Sequence, residues 1–144
     1  MQATGRKAQG VVLEKQFTDT KDVFRIDYTS AYPVAELNEL VRTFNYDRTG
    51  TGRFSINDEF TAKAPIHFET ALTTAASWKI VDGKHIELTS GNERMIVTVE
   101  ASGPVEFTSE VIEINAPAYT RIGISLKNKS SKGFVRQTMC TKRP

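Results

Sequence analysis

With 144 residues, 39% of them hydrophobic and 25% charged, the chain has the size and balance of one soluble globular domain able to bury a core. A single cysteine, Cys140, excludes an intrachain disulfide and a cysteine-based zinc site. No run approaches the ~20 apolar residues of a membrane-spanning helix, and the start, MQATGRKAQG, has no signal-peptide pattern and reads as an arbitrary entry point.

Strand patterns separated by turn chemistry run from end to end. A first strand is predicted over 10–13 and a second over 22–28, where Phe24, Ile26 and Tyr28 alternate with polar residues. Ala31-Tyr32-Pro33 interrupts, because proline removes a ladder donor. Residues 34–41 place Leu37, Leu40 and Val41 at helical spacing, but they run unbroken into an alternating stretch and are read as the start of a long strand. That stretch sets Val41, Thr43 and Asn45 on one face and Arg42, Phe44 and Tyr46 on the other. It meets the turn Asp47-Arg48-Thr49-Gly50-Thr51-Gly52, and a second run puts Phe54 and Ile56 opposite Ser55 and Asn57. Alternation on both sides of a glycine-rich break predicts a β-hairpin over 40–60 with one buried face.

Further strands are predicted over 66–73, 78–81, 84–88, 95–99, 105–114, 121–126 and 134–139. Asp82-Gly83 is read as a two-residue hairpin signal, and Ser90-Gly91-Asn92 and Ser102-Gly103-Pro104 as breaks. Ten or eleven short strands at this spacing, with no repeat or linker, predict one all-β domain, an antiparallel β-sandwich.

The net charge of +2 hides an asymmetry. From residue 114 onward there are seven basic residues (Arg121, Lys127, Lys129, Lys132, Arg136, Lys142, Arg143) and no acid, which leaves 12 basic against 17 acidic residues before it. A basic end attracts polyanions, whether nucleic acid or acidic polysaccharide. The plainer reading is an edge strand that its lysines protect from pairing with another sheet.

Motifs for nucleotide binding, serine hydrolysis or HExxH metal chemistry are absent. His67 and His85 have no second ligand nearby in sequence and are read as outward-facing strand residues. Asp58 and Glu59 are adjacent, so a strand sends them to opposite faces, and they are read as capping or strand-end groups rather than a catalytic pair. Trp78, Tyr28, Tyr32, Tyr46 and Tyr119 are candidates for a sugar or base platform, although aromatics on a β scaffold more often belong to the core. Asn128-Lys129-Ser130 matches a glycosylation sequon.

An ordered series carries more information than any one of these pieces. Ser30-Ala31-Tyr32-Pro33, Val41-Arg42-Thr43-Phe44, Asp47-Arg48-Thr49-Gly50-Thr51-Gly52 and Ile56-Asn57-Asp58-Glu59-Phe60 are followed by Phe68-Glu69-Thr70-Ala71-Leu72 and Thr120-Arg121-Ile122-Gly123-Ile124. Together they resemble the C-terminal β-sandwich of heparinase II/III-like proteins, over nearly the whole chain. The resemblance implies a preceding α/α-toroid as partner domain. It also implies a parent polysaccharide lyase that cleaves acidic, uronate-containing polysaccharide by β-elimination, in the periplasm or outside the cell.

In that family, histidine and tyrosine groups in the toroid and in an early strand of the sandwich perform the acid–base steps. The early-strand motif would fall before Met1, so no residue here is carried over as catalytic. Some members place a metal-ligating histidine where this chain has Ala71-Leu72-Thr73-Thr74. Threonines replace imidazole poorly, so no metal and no cofactor are expected. The chain is then a non-catalytic, structural domain with no nucleic-acid partner and no membrane span. A carbohydrate-binding module gripping an acidic glycan through Trp78, Arg121 and Lys127 is the alternative, and a free-standing adhesion-type sandwich is a third reading.

Overall fold

A computed structural model describes residues 9–113 and 118–142. Eleven strands occur among them: β1 Val11–Phe17, β2 Lys21–Asp27, β3 Leu37–Asp47, β4 Arg53–Ile66, β5 Glu69–Thr74, β6 Ser77–Ile80, β7 His85–Ser90, β8 Glu93–Ala101, β9 Val105–Ile112, β10 Tyr119–Leu126 and β11 Ser130–Lys142. A single 3-10 turn, Thr29–Ala31, separates β2 from β3. The strands form an eight-stranded sheet in the order β1-β2-β3-β4-β11-β8-β7-β6 and a three-stranded sheet in the order β5-β10-β9. All pairings are antiparallel, and the two sheets make the sandwich expected from the sequence.

The predicted hairpin is β3–β4. Its register sets Leu40 opposite Phe60, Arg42 opposite Asp58, Phe44 opposite Ile56 and Tyr46 opposite Phe54, so all eight side chains share one face. Gly50 and Gly52, with φ of 61° and 77°, take left-handed positions in the turn that a β-carbon would strain. Asp47 Oδ1 accepts from the backbone N–H and the hydroxyl of Thr49, and these bonds hold its carboxyl below the usual carboxylate range.

Strand β4 runs on to Ile66, and the break expected before residue 66 lies instead at His67 and Phe68, where the chain crosses to the small sheet. The β7–β8 connection is the true two-residue hairpin, with Ser90 opposite Glu93 and Gly91 at φ 58°. The loop at Asp82-Gly83 is longer: Val81 N–H donates to His85 O, and Asp82 Oδ1 caps the N–H groups of Lys84 and His85. Neither basic strand is an edge, which corrects the reading of lysine-guarded edges. Strand β10 lies between β5 and β9, and β11 lies between β4 and β8. Arg143 of the basic set is outside the described residues.

The core joins Phe60, Ile86, Val97, Val99 and Val135 of the large sheet to Phe68, Ile122, Ile124 and Leu126 on the small-sheet side. Phe60 and Phe68 stack with ring centroids 4.4 Å apart. Strands lie about 4.8 Å apart, so three of them cover roughly 14 Å of a sheet about 38 Å wide. The inner face of the large sheet is therefore only partly roofed, and β1 is exposed along its whole length.

Candidate functional site

A cleft of about 600 Å³ opens where the small sheet stops short of β3 and the 3-10 turn, lined by residues that include Tyr28, Tyr32, Arg42, Asp58, His67 and Arg121. Its floor is one polar cluster. Asp58, on the inner face of β4, is only 1% exposed and would carry an uncompensated buried charge if unpaired. Arg42, directly opposite on β3, donates from Nε to Oδ1 at 2.6 Å and from Nη2 to Oδ2 at 2.7 Å. The Tyr28 hydroxyl donates to Oδ1 at 2.9 Å, and the Thr70 hydroxyl, reaching across from β5, donates to Oδ2 at 2.6 Å. Four donors thus surround one carboxylate, and the Thr70 bond ties the two sheets together.

Burial works against the Arg42 cation, but its hydrogen bonds to Asp58 and the carboxylate charge outweigh that and raise its pKa. Burial, reinforced by the neighbouring Asp58 charge, pushes the Tyr28 hydroxyl well above the usual phenol range. The guanidinium also sits 5.4 Å from the Tyr28 ring centroid and 5.9 Å from that of Phe44. Tyr28 and Tyr32 meet edge-on at 5.7 Å. Asp58 is accordingly a mid-strand, interior group, which corrects the capping or strand-end reading. Glu59 points to the exposed opposite face, as adjacency requires.

A second cluster lies beside the cleft. Glu69 at the start of β5 accepts from Arg121 Nη2 at 2.5 Å and from the Ser125 hydroxyl at 2.8 Å, both on β10. Burial opposes its charged form, but the Arg121 and Ser125 bonds prevail and hold its carboxyl below the usual range. Gly123 lies between these two residues in sequence, and a β-carbon there would collide with the Thr108 hydroxyl and approach Glu69 Oε2 to 2.9 Å.

The three proposed sugar-binding residues fall in different places. Arg121 lines the cleft. Trp78 lies on β6, at the far edge of the large sheet, and its ring packs against the core. Lys127 is exposed in the β10–β11 loop. The tyrosines do not form one platform either: Tyr28 and Tyr32 wall the cleft, Tyr46 lies on the bare sheet face, and Tyr119 on β10 is 39% exposed. His67 is exposed at the cleft rim, and His85 pairs through Nδ1 with Asp82. Among the described residues no group of three or more His, Cys, Asp or Glu converges on a possible metal position. The residues at 71–74 offer no imidazole, so this chain does not fit the zinc ligand set that the resemblance suggests.

An exposed apolar face is expected of a domain that docks on a partner, but the sequence did not name its residues, which the structure shows to be an aromatic row. Phe24, Phe44 and Phe54 lie side by side on β2, β3 and β4, with Phe17 and Tyr46 beside them. The signal was the alternation that put Phe44 and Tyr46 together, but the pairing of three strands was needed to complete it.

No family model and no curated protein matches this chain. Solved structures do. A crystal structure of heparinase III matches with a TM-score of 0.72 and 16% identity, over 92% of this chain and 21% of that one. The heparan sulfate lyase HepC from Pedobacter heparinus matches with a TM-score of 0.72 and 12% identity, over 94% of this chain and 22% of that one. The shared fold is that of one domain of these enzymes, and the chain spans about a fifth of their length.

Proposed function

We propose that this chain is the C-terminal, non-catalytic β-sandwich domain of a heparinase-like polysaccharide lyase. In that protein it packs against an α/α-toroid and helps wall the cleft in which uronate-containing polysaccharide is cleaved by β-elimination, in the periplasm or outside the cell. The observation that carries the reading is the fold match, which takes in nearly all of this chain and only about a fifth of each lyase. The chemistry of the cleft supports it. Asp58 is enclosed by four donors, and Tyr28, held protonated by burial and by Asp58, is a poor base for removing the proton α to a carboxylate.

The test is a lyase assay on the purified 144-residue chain with heparan sulfate, heparin and alginate, following the ultraviolet absorbance of the unsaturated uronate. No product is expected, and a measurable rate from this chain alone overturns the non-catalytic reading.

One observation favours the second reading, an acidic-glycan binding role. Arg121 and Arg42 line the same cleft, and only part of each guanidinium is engaged by Glu69 and Asp58. Retention on a heparin gel at low salt, lost in Arg121→Glu, supports it, because ionic binding is strongest there. Trp78→Ala is a weaker probe, since that ring packs on the core and its loss disturbs folding.

A further inference from the structure

The two faces of the β1–β4 half of the large sheet differ in a way that solvent alone does not explain. Toward the turn, the outer face carries Thr43, Asn45, Ser55 and Asn57, and only Val41, 1% exposed, is apolar on that side of β3. The inner face carries Phe17, Phe24, Phe44, Tyr46 and Phe54, yet Phe17 is 66% and Tyr46 41% exposed. An antiparallel sheet with one wet face places its polar residues there; here the apolar face is also bare.

The rings are held in place. Phe24 and Phe44 lie 6.3 Å apart, Phe44 and Phe54 stack at 6.3 Å, and Tyr46 meets Phe54 edge-on at 6.3 Å. Arg48 caps the row: its guanidinium lies 4.9 Å from the Tyr46 ring centroid, pairs with Asp22 and bonds Thr18 O. Four of the five rings thus contact one another, and Asp22, the acid beside them, is already paired with Arg48.

Nothing in this chain's own sequence suits it as a cover. Residues 1–8, MQATGRKA, hold one large apolar side chain, Met1. Residues 114–117, INAP, hold one large apolar side chain, Ile114.

We infer that this aromatic face is the seat of another part of the parent polypeptide, an apolar surface from the four-fifths of a heparinase-length chain that this domain does not account for. The inference rests on the reading of the chain as a lyase domain and deepens it by naming the docking face.

Hydroxyl-radical footprinting of the 144-residue chain and of the natural polypeptide that carries it tests this, with Tyr119 as the reference. Labelling of Phe17, Phe24, Phe44, Tyr46 and Phe54 is expected to fall at least fivefold in the longer polypeptide. A Phe24→Ser/Phe44→Ser variant of that polypeptide should restore labelling of Tyr46 and Phe54. Equal labelling in the two chains overturns the inference, as does a natural polypeptide with no further domain. Protection that appears in the 144-residue chain and rises with its concentration overturns it in favour of a second copy. Lyase activity separates the two readings. An active long polypeptide with labelled rings defeats the docking face alone, whereas protected rings without lyase activity leave the docking face standing and defeat the lyase assignment.

Discussion

Removing either partner of the Arg42–Asp58 pair should destabilise the fold, and by unequal amounts. Breaking a buried ion pair by deleting one partner costs about 3–5 kcal/mol, because the other charge is left uncompensated. The side chain of Arg42 is 30% exposed and that of Asp58 is 1% exposed. In Asp58→Ala, water reaches the orphaned guanidinium, which keeps its contacts with the Tyr28 and Phe44 rings, so the cost falls to about 2–3 kcal/mol. In Arg42→Ala, the more deeply buried carboxylate loses both guanidinium bonds and retains only the Tyr28 and Thr70 hydroxyls, so about 3–5 kcal/mol is lost. A shape-matched apolar pair, Arg42→Met with Asp58→Leu, should come within about 2 kcal/mol of the parent, since no buried charge remains. Urea unfolding read by the fluorescence of Trp78, the only tryptophan, measures all three. If Asp58→Ala proves as costly as Arg42→Ala, or both cost under about 1 kcal/mol, the buried-charge account is wrong.

Gln137 is 1% exposed on the inner face, and its Oε1 has no hydrogen-bond partner among the described residues. Gln137→Met should therefore stabilise by about 1 kcal/mol in urea unfolding, and a loss of that size would show the amide to be satisfied. Because the Tyr28 pKa is raised by burial and by Asp58, its contribution is fully present below the unfolded value of about 10 and is lost as pH rises towards the folded value. Ultraviolet titration should show one of the four tyrosines resisting ionisation until the fold opens, and Tyr28→Phe should abolish that step. The lowered pKa of Glu69 works in the other direction: its contribution is present above the unfolded value of about 4.3 and lost as pH falls through the folded one. Glu69→Gln should flatten the acid limb of the stability profile, and an unchanged limb would remove Glu69 as its cause.

Local pattern made the strands and the β3–β4 hairpin legible, because a two-residue period reports which face is buried before any partner is known. It could not report sheet order. Seven positive charges after residue 114 suggested guarded edges, yet β10 and β11 are central strands, since charge along a strand records solvent on one face and not the presence of neighbours. The crossing at His67-Phe68 was likewise hidden, for nothing in Ile66-His67-Phe68 breaks the apolar run. Arg42 and Asp58 were visible as residues of a hairpin, but their union with Tyr28 and Thr70 joins four separate segments, and only the register and the stacking of the sheets reveal it.

The same contrast bears on what the domain offers to other molecules. A carboxylate that is to act on substrate needs a free lone pair within reach of solvent, and Asp58 has four bonds and 1% exposure. Glu69 is nearer the surface but is engaged by Arg121 and Ser125. The anionic groups around the cleft are thus occupied in joining strands β3, β4, β5 and β10. What remains unsatisfied at the surface is of a different kind: an apolar row of rings on one half-sheet, and guanidinium donors at the cleft rim. Apolar rings call for a covering surface and spare cationic donors call for an anion. Both are the properties expected of a domain that completes a larger protein, which is the reading proposed above.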